Sequence, residues 1–200
     1  MDSSQKAFLT PANDHRMIVL PNMLMISGNT RNSGKTSLAC SVIRRFSKDH
    51  IVTGLKVTRI HPGEEAFHGD HCGENDAVWD LQEETNPAGH KDTSRMLQAG
   101  ASHVYYIRTT DEHLSEALDA FLKQKGAGTL IVCESRSLRY AVQPGVFILM
   151  MRQTEPGKGK DVSTLLSLAD AVTGNGDDPE TINLLTGRTA TDGKSWQLLP

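Results

Sequence analysis

Gly28-Asn29-Thr30-Arg31-Asn32-Ser33-Gly34-Lys35-Thr36-Ser37 decides how this chain folds. The apolar run Met23-Leu24-Met25-Ile26 leads into it, and Leu38, Val42, Ile43 and Phe46 follow at helical spacing. A strand, a glycine-bearing turn and a Gly-Lys-Thr that opens a helix make a cradle for phosphate. Phosphates carry negative charge and many acceptor oxygens. Backbone N–H groups of the turn, and the unpaired N–H groups of the helix start, point at that charge. Gly34 lets the backbone approach, Lys35 reaches the terminal phosphates, and the Thr36 hydroxyl completes a Mg²⁺ shell. Asn29, Thr30, Asn32, Ser33 and Ser37 form the rest of the expected cradle.

The usual P-loop pattern, G-x-x-x-x-G-K-[ST], places its first glycine where this chain has Asn29. Gly28 stands one position too early. Asparagine tolerates left-handed backbone angles better than other non-glycine residues, so the turn is expected to survive the exchange.

A chain of 200 residues suits one domain with a single sizeable core. A net charge of −3 without a basic block does not support a nucleic-acid footprint. The longest apolar run, Val146 to Met151, is far too short to span a bilayer. The N-terminus lacks the apolar stretch of a signal peptide. Three cysteines, Cys40, Cys72 and Cys133, are odd in number and widely spaced, so no disulfide framework is expected and the cytoplasm is the default.

Along the chain, β-branched Ile51 to Thr58, His103 to Ile107, apolar Thr129 to Cys133, Val146 to Met151 and Ala171 to Thr173 read as strands. Helical stretches fall between them. One is capped by Asp92 and stops at Gly100. A second follows Thr109 and Glu112, which have capping-box spacing, and puts Leu114, Leu118, Phe121 and Leu122 on one face. Val162, Leu165, Leu166 and Ala169 mark another. The pattern predicts an α/β fold with a mainly parallel sheet and helices on both faces. Residues 1–22 are expected as an N-terminal arm and 176–200 as loop and tail. Residues 59–90 form an unusually long connection, expected as a lid or switch at the carboxyl edge of the sheet.

Other residues carry chemistry. Glu134 ends the strand 129–133, where a carboxylate can hold Mg²⁺ or its water. Lys56 lies late in the second strand, on the same edge, and is by itself a weak signal. Asp92 reads as a helix cap first. Arg31 can touch phosphate or a partner. Ser135 and Ser137 read as turn residues. His61, His68, Asp70, His71 and Cys72 bring together N, O and S donors, but their spacing fits no strong zinc pattern. No Asn-Lys-x-Asp tetrad is present, so the chain itself does not assign the base.

Four segments in order carry a family likeness. They are Gly34-Lys35-Thr36, then Gly54-Leu55-Lys56-Val57-Thr58, then Lys91-Asp92-Thr93-Ser94-Arg95 through Ala99-Gly100-Ala101, then Leu130-Ile131-Val132-Cys133-Glu134. Together they resemble the molybdopterin-guanine dinucleotide biosynthesis protein B family of P-loop NTPases, over residues 23–152. The resemblance implies GTP binding with Mg²⁺, slow hydrolysis, a homodimer, and assistance to the enzyme that attaches a nucleotide to molybdopterin. It carries over Lys35 and Thr36 as phosphate and Mg²⁺ positions, Glu134 as the acidic strand end and Asp92 as the Lys-Asp position. Lys35, Glu134 and Asp92 are thus the expected catalytic set, and Thr36 and Glu134 the metal ligands. Val57 and Arg59 replace the family's histidines, and Ser135-Arg136-Ser137 replaces its Gly and aromatic.

Two further classes stay open. The spacing of Gly28 to Gly34 is similar to that of dethiobiotin synthetase and its relatives, which implies an ATP-dependent small-molecule ligase or kinase. A non-catalytic, nucleotide-gated binding module is the third.

Overall fold

The computed structural model describes residues 17–60, 79–125, 128–153 and 159–200. Its centre is β1 (Ile18–Gly28), whose residues Met23 to Ile26 are fully buried. Successive side chains of a strand point to opposite faces. Met23 and Met25 therefore enter one core layer, with Leu118, Phe121 and Phe147. Leu24 and Ile26 enter the other, with Leu38, Val42 and Trp196. A stretch of strand buried on both faces must be apolar, and β5 (Leu130–Glu134) meets the same demand over Leu130 to Cys133. Each fully buried Leu, Ile or Met of this kind contributes about 1.5–3 kcal/mol.

Around β1 stand α1 (Lys35–Phe46), β2 (Val52–Arg59), β3 (Trp79–Glu83), α2 (Asp92–Gln98), β4 (His103–Thr109) and α3 (Leu114–Gln124). After β5 a 3₁₀ turn over Ser137–Tyr140 leads to β6 (Val142–Met150). The chain ends with α4 (Ser163–Leu166), β7 (Ala171–Thr173), α5 (Pro179–Arg188), β8 (Thr189–Thr191) and β9 (Trp196–Leu198). The main sheet has seven strands in the order β3-β4-β2-β5-β1-β6-β7. Its pairings are parallel except β3 with β4. This is the expected α/β class, with α1, α2 and α5 beside one core layer and α3 beside the other.

Several local expectations change. Residues 18–22 of the expected arm are strand, because Ile18 to Leu20 pair with Val142 to Pro144. The register shifts between Leu20 and Leu24, which accommodates Pro21. Residues 1–16 lie outside the described residues. Within the expected lid, residues 79–83 form the antiparallel edge strand β3. Residues 61–78, and with them His61, His68, Asp70, His71 and Cys72, lie outside the described residues.

Thr109 and Glu112 form no capping box, because Thr109 stays in the sheet opposite Arg59 and Trp79 and α3 begins only at Leu114. The helix expected over 162–169 shrinks to α4, although Val162 and Leu165 are buried as expected.

The expected tail is a folded element. Asp178 caps α5 by accepting from Thr181 N at 2.9 Å, with Pro179 in the first turn. The β8–β9 hairpin then buries Trp196. Its indole N–H donates to Ile131 O at 3.1 Å, and its ring meets Phe46 edge-on at 4.9 Å. Among the described residues no helix is long and apolar enough to cross a membrane.

Candidate functional site

The loop 28–34 leaves β1 at the carboxyl edge of the sheet and turns into α1. Gly28 has a steric reason to be glycine. A Cβ there would lie 2.5 Å from Ser33 Oγ and 2.6 Å from Met150 O. The glycine one position early is the point where the loop folds back on itself.

Asn29 works differently from the expectation. The non-glycine residue with left-handed angles among the described residues is Asn32, at φ 58°. Asn29 is buried, and its amide forms a two-point clamp on the backbone of residue 152. Nδ2 donates to Arg152 O at 2.8 Å, and Oδ1 accepts from Arg152 N at 3.0 Å. Its own carbonyl accepts from Lys160 N at 2.7 Å. The loop is thereby stapled to the segment that follows β6.

Gly34 is left-handed at φ 83°, and a Cβ on it would meet Gly176 O at 1.8 Å. No L side chain fits there. The β7–α5 connection thus packs directly on the start of α1.

Lys35 opens α1 and folds back over the loop. Its ammonium donates to Thr30 O at 2.7 Å and Ser33 Oγ at 3.1 Å. Burial lowers its pKa from the ordinary lysine value; nearby Glu134 opposes the shift, while Lys56 and Lys160 add to it. A partly desolvated cation with one carbonyl and one hydroxyl partner is poised for an anion.

Thr36 sits beside Lys35, and its hydroxyl donates to Glu134 Oε2 at 2.7 Å. β5 lies next to β1 with Ile26 opposite Glu134, which brings the two side chains together across the sheet edge. Lys56 stands opposite Glu134 on the next strand, β2. It pairs with Asp92 at the start of α2. Burial works against the Lys56 charge, but Glu134 and the Asp92 bond outweigh it and hold its pKa above the usual value. Burial likewise works against the Asp92 charge, but Lys56 and the Thr36 hydroxyl outweigh it and hold the Asp92 pKa below the usual value.

Asp92 is therefore not a helix cap. The capping position of α2 is Lys91, with no side-chain cap bond. Glu84 instead takes the hydroxyls of Thr93 and Ser94, at 2.7 and 3.2 Å. The Asp92 carboxylate is free to face the cleft because another acid serves the helix start.

These groups line one cleft of about 980 Å³. Thr30, Asn32, Ser33, Gly34, Lys35, Thr36 and Ser37 of the expected cradle border it, as do Glu134 and Asp92. Asn29 does not; it is 7% exposed and turned to the Arg152 backbone. Eight lysine and arginine side chains line the cleft against three carboxylates, Asp92, Glu134 and Asp177. In a chain of net charge −3, so cationic a cleft attracts a polyanion.

Arg136, Arg152, Lys160 and Asp177 join the lining without having been singled out in the sequence. Arg152 donates to Asn32 O at 3.3 Å and pairs with Asp177 at 3.6 Å. Only the pairing of separate strands brings them to the loop, and no local spacing announces it.

Ser135 behaves as a turn residue, its hydroxyl accepting from Leu138 N at 3.1 Å. Cys40 and Cys133 are buried free thiols whose pKa values are raised by burial. Among the described residues no group of three or more His, Cys, Asp or Glu side chains is placed to hold a metal.

No family model matches the chain, and no curated protein or solved structure matches it.

Proposed function

We propose that the chain is a P-loop protein that binds a nucleoside triphosphate with Mg²⁺, GTP by preference, and hydrolyses it slowly. One observation carries this reading. Lys35 and Thr36 stand at the head of α1, and Thr36 lies against Glu134 in a strongly cationic cleft.

The Thr36 hydroxyl and the Glu134 and Asp92 carboxylates are hard oxygen donors of the kind Mg²⁺ takes, directly or through water. When bound, Mg²⁺ supplies charge neutralisation on the phosphoryl oxygens. Lys35 must leave Thr30 O to reach the terminal phosphate, and Lys56 offers a second cation from the neighbouring strand. Catalysis of this kind is positioning and electrostatics, with Glu134 or Asp92 orienting water.

The likeness of residues 91–101 and 130–134 to the molybdopterin-guanine dinucleotide biosynthesis protein B family supports an accessory role in molybdenum-cofactor maturation. A cytoplasmic homodimer working with the nucleotide-attaching enzyme goes with that role.

Calorimetric titration with GTP and ATP, with and without Mg²⁺, tests the core of the proposal. Mg²⁺-dependent binding with GTP the tighter ligand is expected, and Lys35→Ala should abolish it. Binding of neither triphosphate, or unchanged binding by Lys35→Ala, would sink it.

A second reading has its own observation. A further cleft of about 510 Å³ shares Arg59, Arg136 and Ser137 with the first and adds Ile18, Leu114 and Ala141. A mixed pocket, with the Arg59–Asp111 ion pair and Arg136 on its wall and adjoining the first cleft, favours a small-molecule acceptor and hence an ATP-dependent ligase or kinase. Tighter binding of ATP than GTP would favour that reading.

A further inference from the structure

We propose that the Arg152–Asp177 end of the cleft reads the nucleobase, and that the Asp177 carboxylate selects guanine. The inference rests on the nucleotide reading above.

The sheet order separates the two ends of the cleft. Lys56 on β2 and Glu134 at the end of β5 lie on one side of β1. Arg152 after β6 and Asp177 after β7 lie on the other. On the nucleotide reading, Lys35 and Lys56 meet the terminal phosphate on the first side, and Thr36 and Glu134 meet its Mg²⁺. A nucleotide following the cleft then carries its base to the second side.

Asp177 lies across β1 from Glu134, so it stands apart from the proposed Mg²⁺ shell, and as a carboxylate it repels the phosphates themselves. It is 44% exposed at the cleft wall, held by Arg152 at 3.6 Å and packed behind Gly34. An ionised carboxylate only accepts hydrogen bonds, with two oxygens side by side. Guanine offers two adjacent donors on one edge, N1–H and the N2 amino group. Adenine presents an unprotonated N1 and a C–H there, so the same carboxylate faces a lone pair.

Arg152 serves the same end. Its guanidinium bridges Asn32 O and Asp177, and its backbone is clamped by Asn29. That leaves a half-exposed planar cation on an anchored backbone, against which a base can stack. The reader is tied to the phosphate loop, which sets its distance from the phosphates without an Asn-Lys-x-Asp tetrad.

The test is calorimetric binding of GTP, dGTP, ATP and XTP to the wild-type chain and to Asp177→Asn, all with Mg²⁺. Xanthine carries a carbonyl where guanine carries its amino group, and the asparagine amide supplies the matching N–H. Wild type is expected to prefer GTP over ATP by about tenfold or more, and dGTP to bind like GTP. Asp177→Asn is expected to lose about tenfold to a hundredfold in GTP affinity and to bind XTP more tightly than GTP. A variant that only disturbs the loop would weaken every nucleotide equally, and that result overturns the proposal. So does equal binding of GTP and ATP by wild type, or a carboxylate that reads the ribose and so discriminates against dGTP. Those outcomes leave nucleotide binding standing. Binding of no triphosphate by wild type removes both readings together.

Discussion

Thr36 Oγ1 donates to Glu134 Oε2 at 2.7 Å, joining the first turn of α1 to the end of the buried strand β5. The bond pre-positions two oxygen groups that the proposed Mg²⁺ shell needs. Thr36→Val removes the hydroxyl at nearly constant volume, and Glu134→Gln removes the charge. Both variants are expected to remain folded and to lose about tenfold or more in Mg²⁺-dependent triphosphate affinity, while affinity without Mg²⁺ changes little. Titration at fixed nucleotide and rising Mg²⁺ measures it, and an unchanged Mg²⁺ dependence in both would remove these residues from the metal role.

Gly34→Ala should be the costliest small change in the loop. Left-handed angles and a Cβ aimed 1.8 Å from Gly176 O leave no rigid solution, because both obstacles are backbone. The expected loss is about 3 kcal/mol or more, combining φ strain with displacement of the 174–177 connection. Gly28→Ala should cost less, since Ser33 Oγ can rotate away while Met150 O cannot. Denaturant unfolding of the two variants against wild type ranks them. The reverse order would show that the loop relaxes at Gly34.

The Lys56–Asp92 pair gives stability a pH window. The Lys56 pKa is raised in the fold, so its contribution is full below the ordinary lysine value and lost as pH rises through the higher folded value. The Asp92 pKa is lowered, so its contribution is present above the ordinary aspartate value and lost as pH falls through the lower folded value. The pair therefore supports the fold between about pH 4 and about pH 10, taking reference pKa values near 3.9 and 10.4. Asp92→Asn should flatten the acid limb of melting temperature against pH relative to wild type. An identical acid limb would mean that other carboxylates carry it.

Much of the centre was legible because it is locally encoded. Met23 to Ile26 and Leu130 to Cys133 are unbroken apolar runs, and only a strand covered on both faces calls for that. The turn from β1 into α1 was legible for the same reason, since its groups lie within ten consecutive residues. Of the loop's partners, Glu134 and Lys56 were legible as residues at strand ends on one edge, but Arg152 and Asp177 were not, because they reach the cleft only through the placing of β6 and β7 beside β1. The C-terminal unit was hidden by the glycines at 174 and 176, although Asp178-Pro179 is a helix-start signal. Asp192-Gly193 is likewise a hairpin signal, with Gly193 at φ 84°. Thr109 shows the converse case, a good local cap overridden by strand pairing.

Trp196 makes the C-terminal hairpin part of the core, and its removal should register globally. Trp196→Ala leaves a cavity beside Phe46 and removes the indole bond to the Ile131 carbonyl. The expected cost is about 3–5 kcal/mol, which for a chain of this size lowers the melting temperature by about 6–20 °C. Calorimetric melting checks it. A shift under about 2 °C, the size of a surface substitution's effect, would show that residues 189–198 are dispensable to the core.

Lys35 separates binding from stability. Its lowered pKa means that folding favours the neutral amine, so the charge costs stability at every pH below the folded value. The cost fades as pH rises through the lowered folded value and is gone above the ordinary lysine value. Lys35→Met keeps the stem and removes the charge, at the loss of hydrogen bonds to Thr30 O and Ser33 Oγ. The expected outcome is a melting temperature at or above that of wild type near neutral pH, with the difference shrinking toward high pH. Triphosphate should then shift the melting temperature of wild type but not of the variant. A variant that melts lower than wild type at neutral pH would mean that Lys35 holds the loop together, and that its burial serves structure more than anion capture.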